Sequence, residues 1–402
     1  MLEYREVLAR LVAARRFGVK LGLERMQELL ARLGGPERHM GLVIHVGGTN
    51  GKGSVVAMIA AMVRAAGKRV ATYTSPHLST LRERVQIDGA MVSERQIVDA
   101  YATIVDAGGD ELTFFEQITA MAFVIIGGQH VDVTVLEVGL GGRLDATNVV
   151  HAPIAIVTGV ALDHEAILGD TIEKIAVEKA GIFKPGQTAI VGDSGEPEGK
   201  PMLIRLAREA GAHTIPVKAS AGGTPADWIS LAGDHQLANL AGAVLAVSAA
   251  GLPVVEGALE RVVHPGRFER FEDLILDGAH NPHGARALAA TLAKLNLVPV
   301  LVTAISADKN VNAIINELAG QVSAIVATRY QQDRSLEPEA LAAICKTPHH
   351  APDLRAAVAL ARSLGSPILI AGSLFLVGEA RVAYLGAPKD PIATSDPPAK
   401  SS

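Results

Sequence analysis

The stretch Gly48-Thr49-Asn50-Gly51-Lys52-Gly53-Ser54 sets glycines beside a lysine and a hydroxyl. Glycine has no Cβ, so backbone N–H groups there can come close to phosphate oxygens. Lys52 adds a mobile point charge and Ser54 a hydroxyl. The apolar run Leu42-Val43-Ile44 leads into the loop, and an alanine-rich helical pattern from Val55 to Ala66 leaves it. Strand, glycine turn, Lys and Ser, then helix is the order of a phosphate-binding loop. The positive end of the following helix adds to the attraction for anions. Gly53 departs from the general pattern by standing between Lys52 and Ser54. An ordinary glycine-rich turn explains the glycines but not strand, Lys and helix in the right order. The reading is therefore a nucleoside triphosphate site.

Two further groups belong to the same chemistry. Val131-Asp132-Val133-Thr134-Val135-Leu136-Glu137-Val138 is β-branched and nearly continuously apolar, as in a buried parallel strand. A carboxylate at the end of such a strand is costly to bury unpaired. In a protein with a phosphate-binding loop, an acid there serves Mg²⁺, so Glu137 reads as a metal ligand rather than a structural ion-pair partner. The polar, glycine-rich stretch from Gly139 to Asn148 follows, at the strand end where doubly wound sheets bind ligands. The strand Pro153 to Thr158 then delivers Leu162-Asp163-His164-Glu165 to the same edge, which gives His164 a functional rather than structural reading.

Strands alternating with helical patterns must position these groups. Residues 1–40 read as a leader of two short amphipathic helices, with Leu23, Met26, Leu29, Leu30 and Leu33 at helical spacing and Gly34-Gly35-Pro36 ending the second. Arg69 to Thr74 reads as a strand, and Ser93 with Gln96 forms a capping-box pattern. Thr113-Phe114-Phe115-Glu116 opens a helix reaching Ile126, another begins at Thr171, and Thr188 to Val191 is a strand. Residues 193–234 are Gly-, Pro- and Ala-rich with weak periodicity, and Trp228 there reads as packing. A helix from Asp234 carries Asn239. His264-Pro265-Gly266-Arg267 breaks the pattern, after which strands at 273–277, 298–303, 322–327 and 367–371 alternate with helices.

The expected fold is α/β. An ATPase domain with a mostly parallel sheet covers residues 1–265, a smaller Rossmann-like α/β domain covers 266–386, and the Pro- and Ser-bearing tail 387–402 is expected to be disordered. With 49% hydrophobic and 20% charged residues the chain is a globular enzyme type rather than a disordered one. A net charge of −5 argues against an electrostatic nucleic-acid footprint. The single cysteine, Cys345, forbids an internal disulfide and reads as a small core residue. With no apolar signal core at the N-terminus and no long apolar run, a cytoplasmic location is expected, with no membrane contact.

In combination these motifs resemble folylpolyglutamate synthase/dihydrofolate synthase, within the Mur ligase family of ATP-dependent amide-forming enzymes. The resemblance runs from about Leu21 to Gly386. It rests on the Gly48–Ser54 loop; Thr74-Ser75-Pro76-His77-Leu78 with Arg82-Glu83-Arg84-Val85; Phe115-Glu116; Glu137 to Asn148; Leu162-Asp163-His164; Glu178-Lys179-Ala180-Gly181-Ile182; Pro265-Gly266-Arg267; and Leu276-Asp277-Gly278-Ala279-His280-Asn281-Pro282. Ala307-Asp308-Lys309 and Gly372-Ser373-Leu374 extend it. Gly53 then looks like this family's own form of the loop.

The resemblance implies transfer of the γ-phosphoryl of ATP to a carboxylate, giving an acyl phosphate that the amine of L-glutamate attacks. It implies that Lys52 and Ser54, with Gly48, Thr49, Asn50, Gly51 and Gly53, hold the ATP phosphates. Ser75 and Glu137 look like ligands of one Mg²⁺, and His164 with Glu137 of a second. Lys179 is implied to be carbamylated by CO₂ and to organise the second site. The alternative is a plain Lys that contacts phosphate or Glu178. Asn239 looks like an adenine-side contact, and Arg267, Asp277 and His280 like the second domain's contribution to the nucleotide. Arg82, Thr113, Phe115 and Asp145 are the candidates for the pterin-containing substrate, with Phe115 stacking on it or packing in the core. Arg143-Leu144-Asp145-Ala146 resembles members that accept dihydropteroate, so a bifunctional monomer acting on dihydropteroate or folate, L-glutamate and ATP is expected. Alternatives are a folylpolyglutamate synthase only, another Mur-type ligase, or a P-loop NTPase without ligase activity. The leader before the loop is short for a nucleotide-sugar domain, and a plain switch has no use for Asp277-Gly278-Ala279-His280.

Overall fold

The computed structural model describes residues 2–18, 22–218, 231–255, 257–260 and 262–394; Trp228 and the chain beyond Thr394 lie outside them. The chain divides into two compact units. The first comprises 1–230, 236–262 and 390–402, and the second 231–235 and 263–389. The division at 262/263 precedes the expected 265/266, and the first unit also takes back the end of the chain.

In the first unit the strands are β1 (Leu42–Gly47), β2 (Val70–Tyr73), β3 (Val85–Ile87), β4 (Ala90–Met91), β5 (Val133–Glu137), β6 (Ile154–Val157), β7 (Thr188–Val191) and β8 (His213–Pro216). They form one sheet in the order β4-β3-β2-β5-β1-β6-β7-β8. From β2 to β8 all neighbours run parallel; β3 and β4 continue it antiparallel. Every residue of β5 is buried, as its apolar run requires. The register sets Tyr73 opposite Leu136, Val46 opposite Glu137 and Gly47 opposite Val157. The carboxyl ends of β2, β5, β1 and β6 therefore lie level along one edge.

Helices start where short polar side chains satisfy the first free N–H groups. Ser93, Thr113 and Thr171 accept from Gln96, Glu116 and Lys174 N–H, contacts worth about 1 kcal/mol each. The expected featureless stretch after 193 contains a helix, Gly199–Glu209, and β8. Leu203 and Ala207 of that helix sit fully buried against β6 and β7 residues such as Ala155 and Val191.

The leader forms helices Tyr4–Ala14 and Glu24–Arg32, whose Leu8, Leu11, Met26 and Leu29 enter the core over β2 and β5. The tail is not disordered throughout, as its composition suggests. Asp390 and Thr394 are buried, because Asp390 accepts from Tyr4 Oη and Thr80 Oγ1 and Thr394 O accepts from His77.

In the second unit β9 (Glu269–Phe271), β10 (Leu274–Leu276), β11 (Val300–Thr303), β12 (Ala324–Ala327) and β13 (Ile368–Ala371) form a sheet in the order β12-β11-β13-β10-β9. Only β9 is antiparallel. Asn281, Asp353 and Ser373 cap the helices Pro282–Lys294, Leu354–Leu364 and Leu374–Leu385. Cys345 packs half-buried at the margin of this unit's core. Among the described residues no helix is long and apolar enough to cross a membrane.

The leader is held by charge as well as by packing. Arg25 Nη2 donates to both oxygens of Glu116, at 2.8 and 3.0 Å, and Thr113 donates to Glu116 Oε2 through N and Oγ1. The Arg25 side chain is 36% exposed and that of Glu116 only 5%. Loss of the carboxylate strands buried donors, whereas loss of the guanidinium leaves Glu116 its Thr113 partners. Glu116→Ala should therefore cost about 2–4 kcal/mol in urea denaturation, and Arg25→Ala only about 1 kcal/mol. Equal costs would contradict this division.

Candidate active site

The glycine loop is built by close approach. Gly48 has φ +136°, and a Cβ placed there would lie 1.9 Å from Thr158 Oγ1 and 3.0 Å from Thr158 N. Gly51 has φ +83°, and its Cβ would lie 2.5 Å from Asn239 Oδ1. Both glycines are obligatory for the loop to fold against its neighbours. Hydrogen bonds then tie the loop to the segment after β6. Thr158 Oγ1 donates to Asn50 O at 2.6 Å, Thr49 N donates to Gly159 O, and Thr49 Oγ1 accepts from Ala161 N. The helix after the loop runs Lys52–Ala65, so it begins at Lys52, ahead of the Val55 expected from the apolar pattern. Gly53 and Ser54 lie in its first turn.

Lys52 Nζ folds over the loop and donates to Gly48 O at 3.1 Å and Thr49 O at 3.3 Å. Lys179, near the end of the helix Ile172–Ala180, donates to the same Gly48 carbonyl at 3.1 Å. It is 5% exposed. Burial first, and the nearby Lys52 charge second, lower its pKa to about 7, against the opposing pull of Asp163 and Asp145. The amine is thus available as a neutral nucleophile near neutral pH. Glu178 is not its partner: that carboxylate accepts from Arg143 Nε and Nη2.

Glu137 closes β5, is buried, and accepts from Ser75 N at 3.2 Å across the neighbouring strand end. Ser75 is itself half-buried. His164 follows β6 in the left-handed conformation, at φ +53°, and its N–H donates to Asp163 Oδ1. Ser54 is buried, and its Oγ accepts from Gln236 Nε2 at 3.3 Å. Asn239 is buried beneath the loop, accepting from Ser194 Oγ and donating to Gln236. Lys52, Lys179, Glu137, Ser75, His164 and Asn239 therefore all gather at one sheet edge or directly under its glycine loop. Among the described residues no three His, Cys, Asp or Glu side chains converge into a ready cation site. A hard cation here needs additional oxygens, and phosphates and water are its usual completing ligands.

The remaining first-unit candidates also serve their own loops. Asp145 is buried, and its oxygens accept from Thr147 N, Thr147 Oγ1 and Leu140 N. Burial raises its pKa, and those hydrogen bonds oppose the rise. Thr147 spends its hydroxyl proton on Asp145, so it must accept from His45 Nε2 at 2.9 Å. His45 is fully buried in mid-β1, and burial, with Lys184 adding to it, holds its pKa down at about 3, so the ring stays neutral. Thr113 caps its helix, and Arg82 Nε donates to Val92 O. Phe115 lies half-buried, tilted on Tyr73 with centroids 6.4 Å apart, and occupies the space where Gly139 lacks a Cβ.

Sequence reasoning left Asp163, Thr158 and His45 without roles. Asp163 stood in a quoted motif beside His164. Thr158 and His45 carry no local signal, since their partners are distant in the chain.

In the second unit, Asp277 follows β10 and accepts from Phe268 N and Ala279 N. Burial raises its pKa, while Arg267 pulls it down. A Cβ on Gly278 would collide with Arg267 Nη1, at 2.3 Å, so glycine makes room for the guanidinium. His280 Nδ1 pairs with Gly278 O at 2.7 Å. Ser306 Oγ and Tyr330 Oη lie 2.6 Å apart, and Arg334 donates to Asp308, near the carboxyl ends of β11 and β12.

Comparison with known proteins agrees with this division. Residues 46–197 match the Mur ligase middle domain, and 266–374 match the Mur ligase, glutamate ligase domain. A probable bifunctional folylpolyglutamate synthase/dihydropteroate synthase of Haloferax volcanii is 33% identical over 95% of this chain, which spans only 51% of that relative. The dihydrofolate synthase/folylpolyglutamate synthase of Escherichia coli is 39% identical, covering 69% of each chain. Among solved structures, Escherichia coli FolC in complex with DHPP and ADP superposes with a TM-score of 0.88 at 31% identity, over 96% of this chain and 98% of that one. A bifunctional folylpolyglutamate synthase/dihydrofolate synthase with Mn, AMPPNP and L-glutamate bound gives 0.84 at 31% identity, over 94% and 97%.

The loop geometry gives a direct test. Gly48→Ala should weaken nucleotide binding by about 10–100-fold in calorimetric titration, which is roughly 1.4–2.8 kcal/mol. Gly320→Ala, where an added Cβ meets nothing within 4 Å, should leave it unchanged. Wild-type affinity in Gly48→Ala would show that the approach to Thr158 is not needed.

Proposed function

This chain belongs to the dihydrofolate synthase/folylpolyglutamate synthase family of Mur ligases, and we propose that it joins L-glutamate to dihydropteroate, and to the glutamyl tail of reduced folates, using ATP. The observation that carries the reading is one sheet edge where Lys52 and a buried Lys179 share the Gly48 carbonyl close to Glu137 and Ser75. The reaction needs phosphate charge neutralised and two reactants aligned, not a protein nucleophile.

In this reading the Gly48–Ser54 backbone and Lys52 cradle the ATP phosphates. Ser75 and Glu137 would hold one Mg²⁺ and His164 with Glu137 a second, the oxygen donors of Ser75 and Glu137 suiting that hard ion. The metals, when bound, neutralise charge on the transferring phosphoryl group. The carboxylate of the pterin acid attacks the γ-phosphorus, ADP leaves, and the glutamate amine then displaces phosphate from the acyl phosphate. Asn239 lies under the loop on the nucleotide side. Arg267, Asp277 and His280 form the second unit's contribution to ATP. Arg82, Thr113, Phe115 and Asp145 line the pterin side, Asp145 and Thr113 by shaping their loops. A monomer acting in the cytoplasm completes the reading.

Lys179 enters as a carbamate. Its neutral amine adds to CO₂ and loses a proton, so a buried amine becomes an anionic carbamate able to organise the second metal site. The amine is neutral above about pH 7 and protonated below it, so at fixed dissolved CO₂ activity should fall as pH drops through 7. Depleting bicarbonate should lower turnover at neutral pH and restoring it should recover turnover, while Lys179→Arg responds to neither. A wild-type rate indifferent to bicarbonate, with no CO₂ adduct in the intact mass, would remove the carbamate from the mechanism.

The decisive assay is ATP-dependent incorporation of labelled glutamate, with dihydropteroate and tetrahydrofolate compared. Incorporation with both supports bifunctionality, with tetrahydrofolate alone supports polyglutamylation only, and with neither overturns the ligase reading. Glu137→Ala should lower kcat by at least about 1,000-fold, near 4 kcal/mol of transition-state stabilisation. Near-normal turnover would refute a shared metal ligand.

A further inference from the structure

The loop between β2 and β3, Thr74–Arg84, carries Ser75 at one end and Arg82 at the other. It is held from two sides. From within, Glu83 accepts from Leu78 N, Ser79 N, Ser79 Oγ and Thr80 N. From without, the grip belongs to a segment more than 300 positions later. Asp390 Oδ1 accepts from Thr80 Oγ1 at 2.6 Å and from Tyr4 Oη at 2.8 Å, and Oδ2 accepts from Leu81 N at 2.7 Å. Asp390 N donates to Ser79 O. Four residues on, Thr394 O pairs with His77 Nε2 at 2.8 Å. Asp390 is 5% exposed and Thr394 6%, so these contacts are shielded from competing water.

The tautomer of His77 makes the contact directional. Arg84 Nε donates to His77 Nδ1 at 2.9 Å. The proton of His77 is therefore on Nε2, where it is donated to Thr394 O. Arg84 is fully buried, its O accepts from Thr74 N, and its guanidinium lies over the Phe114 ring at 5.8 Å. One chain of contacts thus runs from Thr394 through His77 and Arg84 to both flanks of the edge. One flank is the strand end that presents Ser75; the other is the start of the helix holding Thr113 and Phe115.

We propose that residues 390–394 are a positioning strap for the ligase site, with Asp390 and Thr394 fixing the Thr74–Arg84 loop so that Ser75 and Arg82 face their ligands. The inference rests on the roles given to Ser75 and Arg82 above. The hydrogen bonds of the strap go to Tyr4, His77, Ser79, Thr80 and Leu81, not to the Gly48–Ser54 loop. Its loss should therefore cost metal and pterin-acid binding while leaving metal-free nucleotide binding alone. A contact that only stabilised the fold would not split the affinities this way.

The test uses the full chain with Asp390→Ala, the milder Asp390→Asn, and His77→Leu. ADP affinity in chelator is expected to stay within about twofold of wild type. The gain in AMPPNP affinity on adding Mg²⁺ should shrink, and KM for dihydropteroate should rise, each by about tenfold, with Asp390→Asn intermediate. Thermal midpoints are measured in parallel, and Asp390→Asn keeps the comparison open if Asp390→Ala does not fold. A lower midpoint with unchanged Mg²⁺ gain and KM overturns the strap, as does equal weakening of all three ligands. A wild type that incorporates no glutamate overturns the ligase reading instead, and the Mg²⁺ gain still decides the strap.

Discussion

Two lysine side chains meet on one backbone carbonyl, Gly48 O. Two ammonium groups so placed repel each other, and one of them, Lys179, is also stripped of water. Both effects act on the same group in the same direction, and the protonated state yields. The arrangement exists only because Gly48 takes a backbone conformation closed to side chains and packs directly on Thr158. Glycine, carbonyl and amine are therefore one device. The close approach aims the carbonyl, the carbonyl gathers the amines, and burial together with that crowding lowers the pKa of Lys179.

The rest of the first unit levels the strand ends so that this device has company. Parallel pairing puts Glu137 opposite Val46 and Tyr73 opposite Leu136. The residues that leave those strands, Ser75 and the Gly48 loop, then emerge at one height. Buried polar chains keep them there: His45 through Thr147 to Asp145, and Arg25 through Glu116 to Thr113. Each is almost fully satisfied, apart from His45 Nδ1, which has no partner among the described residues. Satisfied buried networks fix loops more firmly than apolar packing, since breaking one contact strands a donor or acceptor without water.

Much of this was legible beforehand where the signal is local. The glycine loop, the capping residues Ser93, Thr113 and Thr171, and the apolar runs of β5 and β6 announce themselves within a few positions. What stayed hidden has no local signature. The helix Gly199–Glu209 and β8 sit in a stretch whose glycines and prolines mask its period, yet Leu203 and Ala207 find a core face. The three-residue β9 is too short to declare itself. The start of the helix at Lys52 was missed because its first turn is Lys, Gly and Ser, which adds no apolar residue to the helical pattern.

The tail shows the limit most clearly. Its prolines, serines and charges read as disorder because composition weighs every residue alike. Two of them decide the outcome over 390–394. Asp390 finds Tyr4, 386 positions away, and Thr394 finds His77, 317 positions away. Bringing such distant segments together costs loop-closure entropy that grows only slowly with separation. Most of that cost is already met once the sheet and its leader helices have formed. A few shielded hydrogen bonds, each worth about 1–3 kcal/mol when a charge is involved, are then enough to hold a short segment down. The same reasoning explains why the strap falls on the Thr74–Arg84 loop. That loop sends Leu81 into the core, and a carboxylate arriving late in the chain supplies the acceptors that Leu81 N, Thr80 Oγ1 and Tyr4 Oη require.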